Sequence, residues 1–178
     1  AIVGAVGVSM PMAVVNDFNP SYEIEGQPSP DGQDPITLFY AVSPGFLDAM
    51  RIPLLRGRFI TDDDRRDGHR IVVINQALAE KHFGNDNPIG RRMRVSQADN
   101  AWREIVGVVG NVKQTGLDEQ PRAQVYESYL QHPYFAPFSL VVRARAGRPT
   151  AVVPQVRSVL RGIAPELPLA EVRTLEDV

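Results

Sequence analysis

Apolar and polar residues along this chain fall into short runs of period two and a few stretches of helical period, separated by proline and glycine. Ile2 to Met10 is an apolar, valine-rich run closed by Pro11, and it predicts a strand. Residues 11 to 35 carry Pro11, Pro20, Pro28, Pro30 and Pro35 with Gly26 and Gly32, a long irregular connection with a short strand at Tyr22 to Glu25. Pro35 to Val42 predicts the next strand. Ser43-Pro44 reads as an N-cap followed by proline at the first helical position, and the helix Pro44 to Met50 presents Phe46, Leu47 and Met50 to a core. Pro53 ends that helix, and Gly57 permits a tight turn under which Phe59 packs.

The pattern continues with a capping-box pair, Thr61 and Asp64, and a β-branched strand from Arg70 to Ile74. Asn75 caps a helix over Gln76 to Phe83, which Gly84 closes. Pro88 and Gly90 turn the chain into a strand at Arg92 to Val95, and further strands follow at Trp102 to Val109 and Gln124 to Tyr129. Phe138 to Arg145 alternates and turns at Gly147. From Pro149 a helix gathers Val152, Val153, Val156, Val159, Leu160 and Ile163 on one face. Leu169 to Thr174 predicts a last strand, so the final third is a strand–helix–strand unit. No internal repeat is visible.

Composition narrows the function classes. The 178 residues are 43% hydrophobic and 22% charged, with a net charge of -2. Such a chain buries a good core, and its net charge gives no reason to expect nucleic acid or anionic membrane as a partner. Basic charge is 17 arginines against 2 lysines, and the arginines read as scattered. There are no cysteines, which removes disulfides, thiolate nucleophiles and cysteine-ligated metals. No apolar run approaches the ~20 residues that span a bilayer. No signal peptide is visible, and both ends read as cuts inside a longer protein.

Candidate chemistry is sparse. Gly107 to Gly116 (GVVGNVKQTG) lacks phosphate-loop spacing and reads as a strand with a glycine bulge. Asp62, Asp63, Asp64 and Asp67 lack the alternation of a calcium loop and read as a solvated, capped turn. His69, His82 and His132 have no ligand spacing, and no serine sits in a nucleophile elbow. Glu23, Glu25, Asp31 and Asp34 cluster in the proline-rich connection, so paired-carboxylate chemistry stays formally open beside an exposed acidic loop. Tyr126, Tyr129, Tyr134, Phe135 and Phe138 form the one aromatic stretch, either strand core with a boundary loop or a contact patch for a partner or apolar ligand. No catalytic group, metal site or cofactor site is assigned.

Several motifs together carry a resemblance: Tyr40-Ala-Val-Ser-Pro-Gly-Phe-Leu, Ile52-Pro-Leu-Leu-Arg-Gly-Arg-Phe, Val72-Val-Ile-Asn-Gln-Ala-Leu-Ala, Phe83-Gly-Asn-Asp-Asn-Pro-Ile-Gly-Arg-Arg and Glu104-Ile-Val-Gly-Val-Val-Gly-Asn-Val-Lys, then Pro121 to Tyr129 and Leu167-Pro-Leu-Ala-Glu-Val-Arg-Thr-Leu. In this order they resemble the extracytoplasmic core domain of MacB/FtsX-type ABC-transporter permeases. The resemblance implies an α+β domain between the first two transmembrane helices of a permease. It implies a porter-like subdomain from residues 1–42 plus 136–178, lacking a strand and helix at its start, and an inserted Sabre-like α/β subdomain at 43–135. It further implies a non-enzymatic relay of ATP-driven motion for export, or regulation of a cell-wall hydrolase. The implied partners are a second permease subunit, a cytoplasmic ATPase and a periplasmic or outer protein. The implied location is the extracytoplasmic face of the bacterial inner membrane, with Ala1 and Val178 on one side of the domain. A small-molecule-binding domain or an unrecognised enzyme is the alternative from a different class.

Overall fold

The computed structural model describes residues 2–7, 19–29, 32–96, 99–112, 120–131, 139–144, 147–166 and 172–174, the first of these segments by its backbone alone. Among the described residues nine strands form one mixed sheet. They are β1 (Ile2–Gly7), β2 (Tyr22–Ile24), β3 (Leu38–Val42), β4 (Leu54–Gly57), β5 (Ile71–Asn75), β6 (Arg92–Val95), β7 (Arg103–Val109), β8 (Gln124–Ser128) and β9 (Ser139–Ala144). The order across the sheet is β2-β6-β7-β5-β8-β3-β1-β9, with β4 added beside β7. β3 with β8 and β5 with β7 run parallel, and the other pairs are antiparallel. The helices are α1 (Phe46–Met50), α2 (Gln76–Phe83) and α3 (Val153–Ile163).

The central strands explain the apolar runs. Every residue of β3, β5 and β8 is buried, because α1 covers one sheet face and α2 the other. Alternate residues divide between two cores. Leu38, Tyr40, Ile71, Val73 and Tyr126 pack with Phe46, Leu47 and Ala49 of α1. Phe39, Ala41, Val72, Ile74, Ile105 and Val125 pack with Leu78 and Phe83 of α2. A one-residue slip would exchange the two sets, so this register is strongly specified.

β1 and β9 are more than a hundred residues apart in sequence, yet they pair over six positions from Ile2↔Ala144 to Gly7↔Ser139. β2 and β3 pair with β6 and β8 respectively, so strands on both sides of residue 42 share the sheet.

Four local expectations change. Ser43 is not the N-cap: the Phe46 N–H bonds the Ser43 carbonyl in a turn, and α1 begins at Phe46 with Gly45 at its cap and no side-chain cap bond. Leu54–Gly57, for which only a turn at Gly57 was expected, is a strand, pairing with β7 along the edge that β6 leaves open beyond Glu104. The helix expected from Pro149 starts as a 3-10 turn (Pro149–Val152) and becomes α-helical at Val153, where Pro154 occupies the first turn. Val172–Thr174 is not strand, and Leu169 to Glu171 lie outside the described residues.

The expected glycine bulge is present. β5 residues Val72 and Val73 pair with Ile105 and Gly107, which skips Val106. Gly107 is required because a Cβ there would meet the Arg58 carbonyl oxygen at 2.1 Å.

Candidate functional site

The aromatic stretch divides on folding. Tyr126 is 1% exposed. It stacks on Tyr40 at 5.4 Å and donates its hydroxyl to Gln124 Oε1 at 2.9 Å. Burial raises its phenol above the ordinary range. Tyr126 therefore builds the α1-side core and offers no surface contact. Tyr129 opens a 3-10 turn after β8 and packs, half-buried, against the α2-side core. Tyr134, Phe135 and Phe138 lie outside the described residues.

The histidines are not brought together. His69 Nε2 lies 2.8 Å from Glu104 Oε2 at an exposed position. His82 is held low, by burial first and by Lys81 second, and so stays neutral. In that state the Tyr22 hydroxyl donates to Nε2 at 2.7 Å, and Nδ1–H donates to Gln27 Oε1 at 3.2 Å. Burial pushes the Tyr22 phenol up to about 12. The Tyr22–His82 pair ties the end of α2 to β2 and is structural. His132 lies outside the described residues.

The aspartate run behaves as a capped turn. Asp64 is buried, and its carboxylate receives Arg58 Nη1 and Nη2 at 2.8 and 2.9 Å, the Thr61 N–H at 2.8 Å and the Thr61 hydroxyl at 3.2 Å. Burial alone would raise its pKa, but Arg58 and Thr61 together hold it below the ordinary value. Asp62, Asp63 and Asp67 are exposed. Among the described residues no group of carboxylates or histidines can hold a metal ion.

The acidic connection also turns to arginines. Glu23 accepts from Arg94 Nη2 at 2.6 and 2.7 Å, and Glu25 pairs with Arg92 across β2 and β6. Hydrogen bonding to Arg92 lowers the Glu25 pKa. Asp34 accepts from the Ser29 hydroxyl at 2.6 Å, and Asp31 lies outside the described residues. Each of the described carboxylates Glu23, Glu25 and Asp34 has a donor of its own, so no shared-proton pair is assembled among them.

Two polar clusters were not anticipated. Arg103 and Glu127 are both fully buried, with Nε to Oε2 at 2.7 Å. Arg103 Nη1 also donates to the Ala101 carbonyl and Nη2 to Asp99 Oδ1, each at 2.7 Å, while Arg70 Nη2 reaches Asp99 Oδ2 at 2.8 Å. Burial would raise the Asp99 carboxyl, but Arg103 chiefly, with the Ala101 N–H and Arg70, holds it low. The signal available was Glu127 as the one charge of β8 and Arg103 at the start of β7, at positions of the same parity as Val125 and Ile105.

The second cluster is centred on Asn75. Its Oδ1 accepts from Leu78 N at 3.1 Å and Gln124 N at 3.0 Å. Its Nδ2 donates to Asn111 Oδ1 at 2.9 Å and the Arg122 carbonyl at 2.8 Å. Asn111 Oδ1 in turn accepts from Ala77 N. These groups position α2 against β8.

What remains accessible is surface. Strand β4 is exposed throughout, with Leu54 and Leu55 near half exposure. Helix α3 buries no residue. Among the described residues no helix is long and apolar enough to cross a membrane.

Comparison with known proteins identifies the family. The family profile of MacB-like periplasmic core domains matches residues 5–159. Two curated relatives are macrolide export ATP-binding/permease proteins MacB. The one from Syntrophobacter fumaroxidans is 29% identical over 82 residues, 45% of this chain and 11% of that protein. The one from Wolinella succinogenes is 31% identical over 88 residues, 48% of this chain and 13% of that protein. The chain thus spans little more than a tenth of either relative. Among solved structures, the periplasmic region of MacB from Actinobacillus actinomycetemcomitans superposes with a TM-score of 0.60 at 15% identity, over 90% of this chain and 66% of that one. The extracellular domain of the noncanonic ABC-type transporter YknZ from Gram-positive bacteria gives 0.53 at 18%, over 88% and 67%. At these identities the structural likeness shows the shared α+β fold. The chain belongs to the MacB-like periplasmic core domains, the extracytoplasmic domains of ABC-transporter permeases.

Proposed function

We propose that this domain relays ATP-driven motion across the membrane for export of a substrate, as a non-enzymatic part of an ABC-type permease. In this reading it works beside a second permease subunit, a cytoplasmic ATPase and an extracytoplasmic partner. Both chain ends contribute to a porter-like part around an inserted one. The observation that carries the reading is the β1–β9 ladder. Its six pairs join a strand near the start of the chain to one near its end, so displacement of either is passed through backbone hydrogen bonds to the rest of the sheet. The side chains of the described site candidates serve each other as hydrogen-bond and ion-pair partners, which suits a transmitter better than a reaction centre.

The test uses the parent permease in proteoliposomes, with ATP hydrolysis and export measured together. Removing this domain should leave hydrolysis and abolish export. Export that persists without the domain overturns the proposal.

A further inference from the structure

From Ser128 to Pro165 the sequence holds no aspartate or glutamate, while residues 139–165 hold Arg143, Arg145, Arg148, Arg157 and Arg161. That stretch carries +5 in a chain of net -2, so the remainder carries -7. Among the described residues β9, which carries Arg143, is the terminal strand of the sheet and pairs with β1, and the 3-10 turn that leads from Arg148 into α3 packs on β9. Arg143 Nε donates to the Ala49 carbonyl at 2.6 Å, which brings Arg51 of the α1 C-cap into the same basic region. Burial first, and Arg51 second, lowers the Arg143 pKa. Arg51, Arg148, Arg157 and Arg161 are exposed and make no ion pair with a described carboxylate.

Helix α3 adds an apolar component. At 3.6 residues per turn, Val153, Val156, Val159, Leu160 and Ile163 share one arc. Arg157 borders it on one side and Gln155 on the other, with Arg161, Ser158 and Gly162 on the far face. Val159 is 57% exposed and Ile163 76%, and Leu140 on β9 is 43% exposed.

We infer that the β9–α3 unit, with Arg51, is a contact surface for an anionic phospholipid bilayer, with the α3 apolar arc at the headgroup boundary and the arginines on lipid phosphates. Positive charge alone would suit an acidic protein equally. An aliphatic arc exposed at Val159 and Ile163, with arginines on its polar side, favours an interface with its own apolar layer. The inference rests on the extracytoplasmic permease reading only for the presence of a bilayer within reach.

The test is flotation of the protein with vesicles of phosphatidylcholine containing phosphatidylglycerol, against phosphatidylcholine alone. Binding should require the anionic lipid and weaken with salt. Arg157→Gln with Arg161→Gln should weaken partitioning about 30-fold. Ile163→Ser should weaken it by at least about fivefold. All three positions are exposed, and unchanged urea unfolding would verify that the variants are folded. No flotation, or equal flotation on phosphatidylcholine alone, overturns the inference. So does a neutral Ile163→Ser with polyglutamate displacing the vesicles, which would assign the surface to an acidic protein. Failed flotation with export still dependent on the domain would sink this inference and leave the relay standing. Flotation with export independent of the domain would do the reverse.

Discussion

Replacing Asn75 by alanine should destabilise this domain far more than loss of a helix cap. Asn75 is fully buried and uses both lone-pair directions of Oδ1 and both hydrogens of Nδ2. Loss of the bond to the Leu78 N–H removes the α2 cap, about 1 kcal/mol. The Gln124 N–H is buried and loses its acceptor, a further cost of about 1–3 kcal/mol. The Arg122 carbonyl and Asn111 Oδ1 are only partly buried, so water replaces their donor at little cost. The sum is about 3 kcal/mol, which for a domain of this size lowers Tm by about 6–12 °C. Trp102, the single tryptophan, lies under Arg94 with its guanidinium 5.0 Å from the ring and reports unfolding by fluorescence. Urea titration should show a lower midpoint and an unchanged m-value. Asn75→Asp keeps the acceptors but sets a carboxylate oxygen against Asn111 Oδ1 and the Arg122 carbonyl, so it should cost at least as much. A loss of about 1 kcal/mol or less in Asn75→Ala would reduce the residue to an ordinary cap and refute the argument.

Glu127→Ala takes the buried acceptor from Arg103 Nε while Nη2 keeps Asp99, so it should cost about 1–3 kcal/mol, and Arg103→Met combined with Glu127→Leu should recover most of it in the same titration. Asp64 is depressed in the fold, so its contribution is full above its unfolded pKa near 3.8 and fades as pH falls through the lower folded value. Asp64→Asn should therefore be less stable than the parent at neutral pH, with the gap closing in acid; a gap independent of pH would disprove the linkage. Gly107→Ala should cost about 1–3 kcal/mol, because its Cβ meets the Arg58 carbonyl and pushes that backbone away from β7. Calorimetric unfolding of the folded variant would check it.

Local chemistry was legible where a residue acts on its own neighbours. Asn75 before Gln76 to Phe83 predicted its cap, and Gly84 its end, because those bonds close within one turn. Apolar runs predicted β3, β5 and β8, and Gly107 predicted the bulge. The family motifs were also sequence features, and the profile match bears them out. Strand β4 was hidden, since Pro53, Arg56 and Gly57 suppress strand propensity at an edge whose pairing comes from β7. The aromatic stretch looked uniform, yet β8 runs between β3 and β5 and so takes Tyr126 into the core.

The arginines looked scattered because they were read singly. Their concentration lies in the absence of acids from Ser128 to Pro165. The sequence alone determined which segments are strands and caps, because those preferences are local. Only the tertiary structure decided that Arg103 would meet Glu127, that Asn75 would bond β8, and that β1 would lie beside β9. Each of these joins residues at least two dozen positions apart, and their meeting depends on sheet order, which local sequence does not encode.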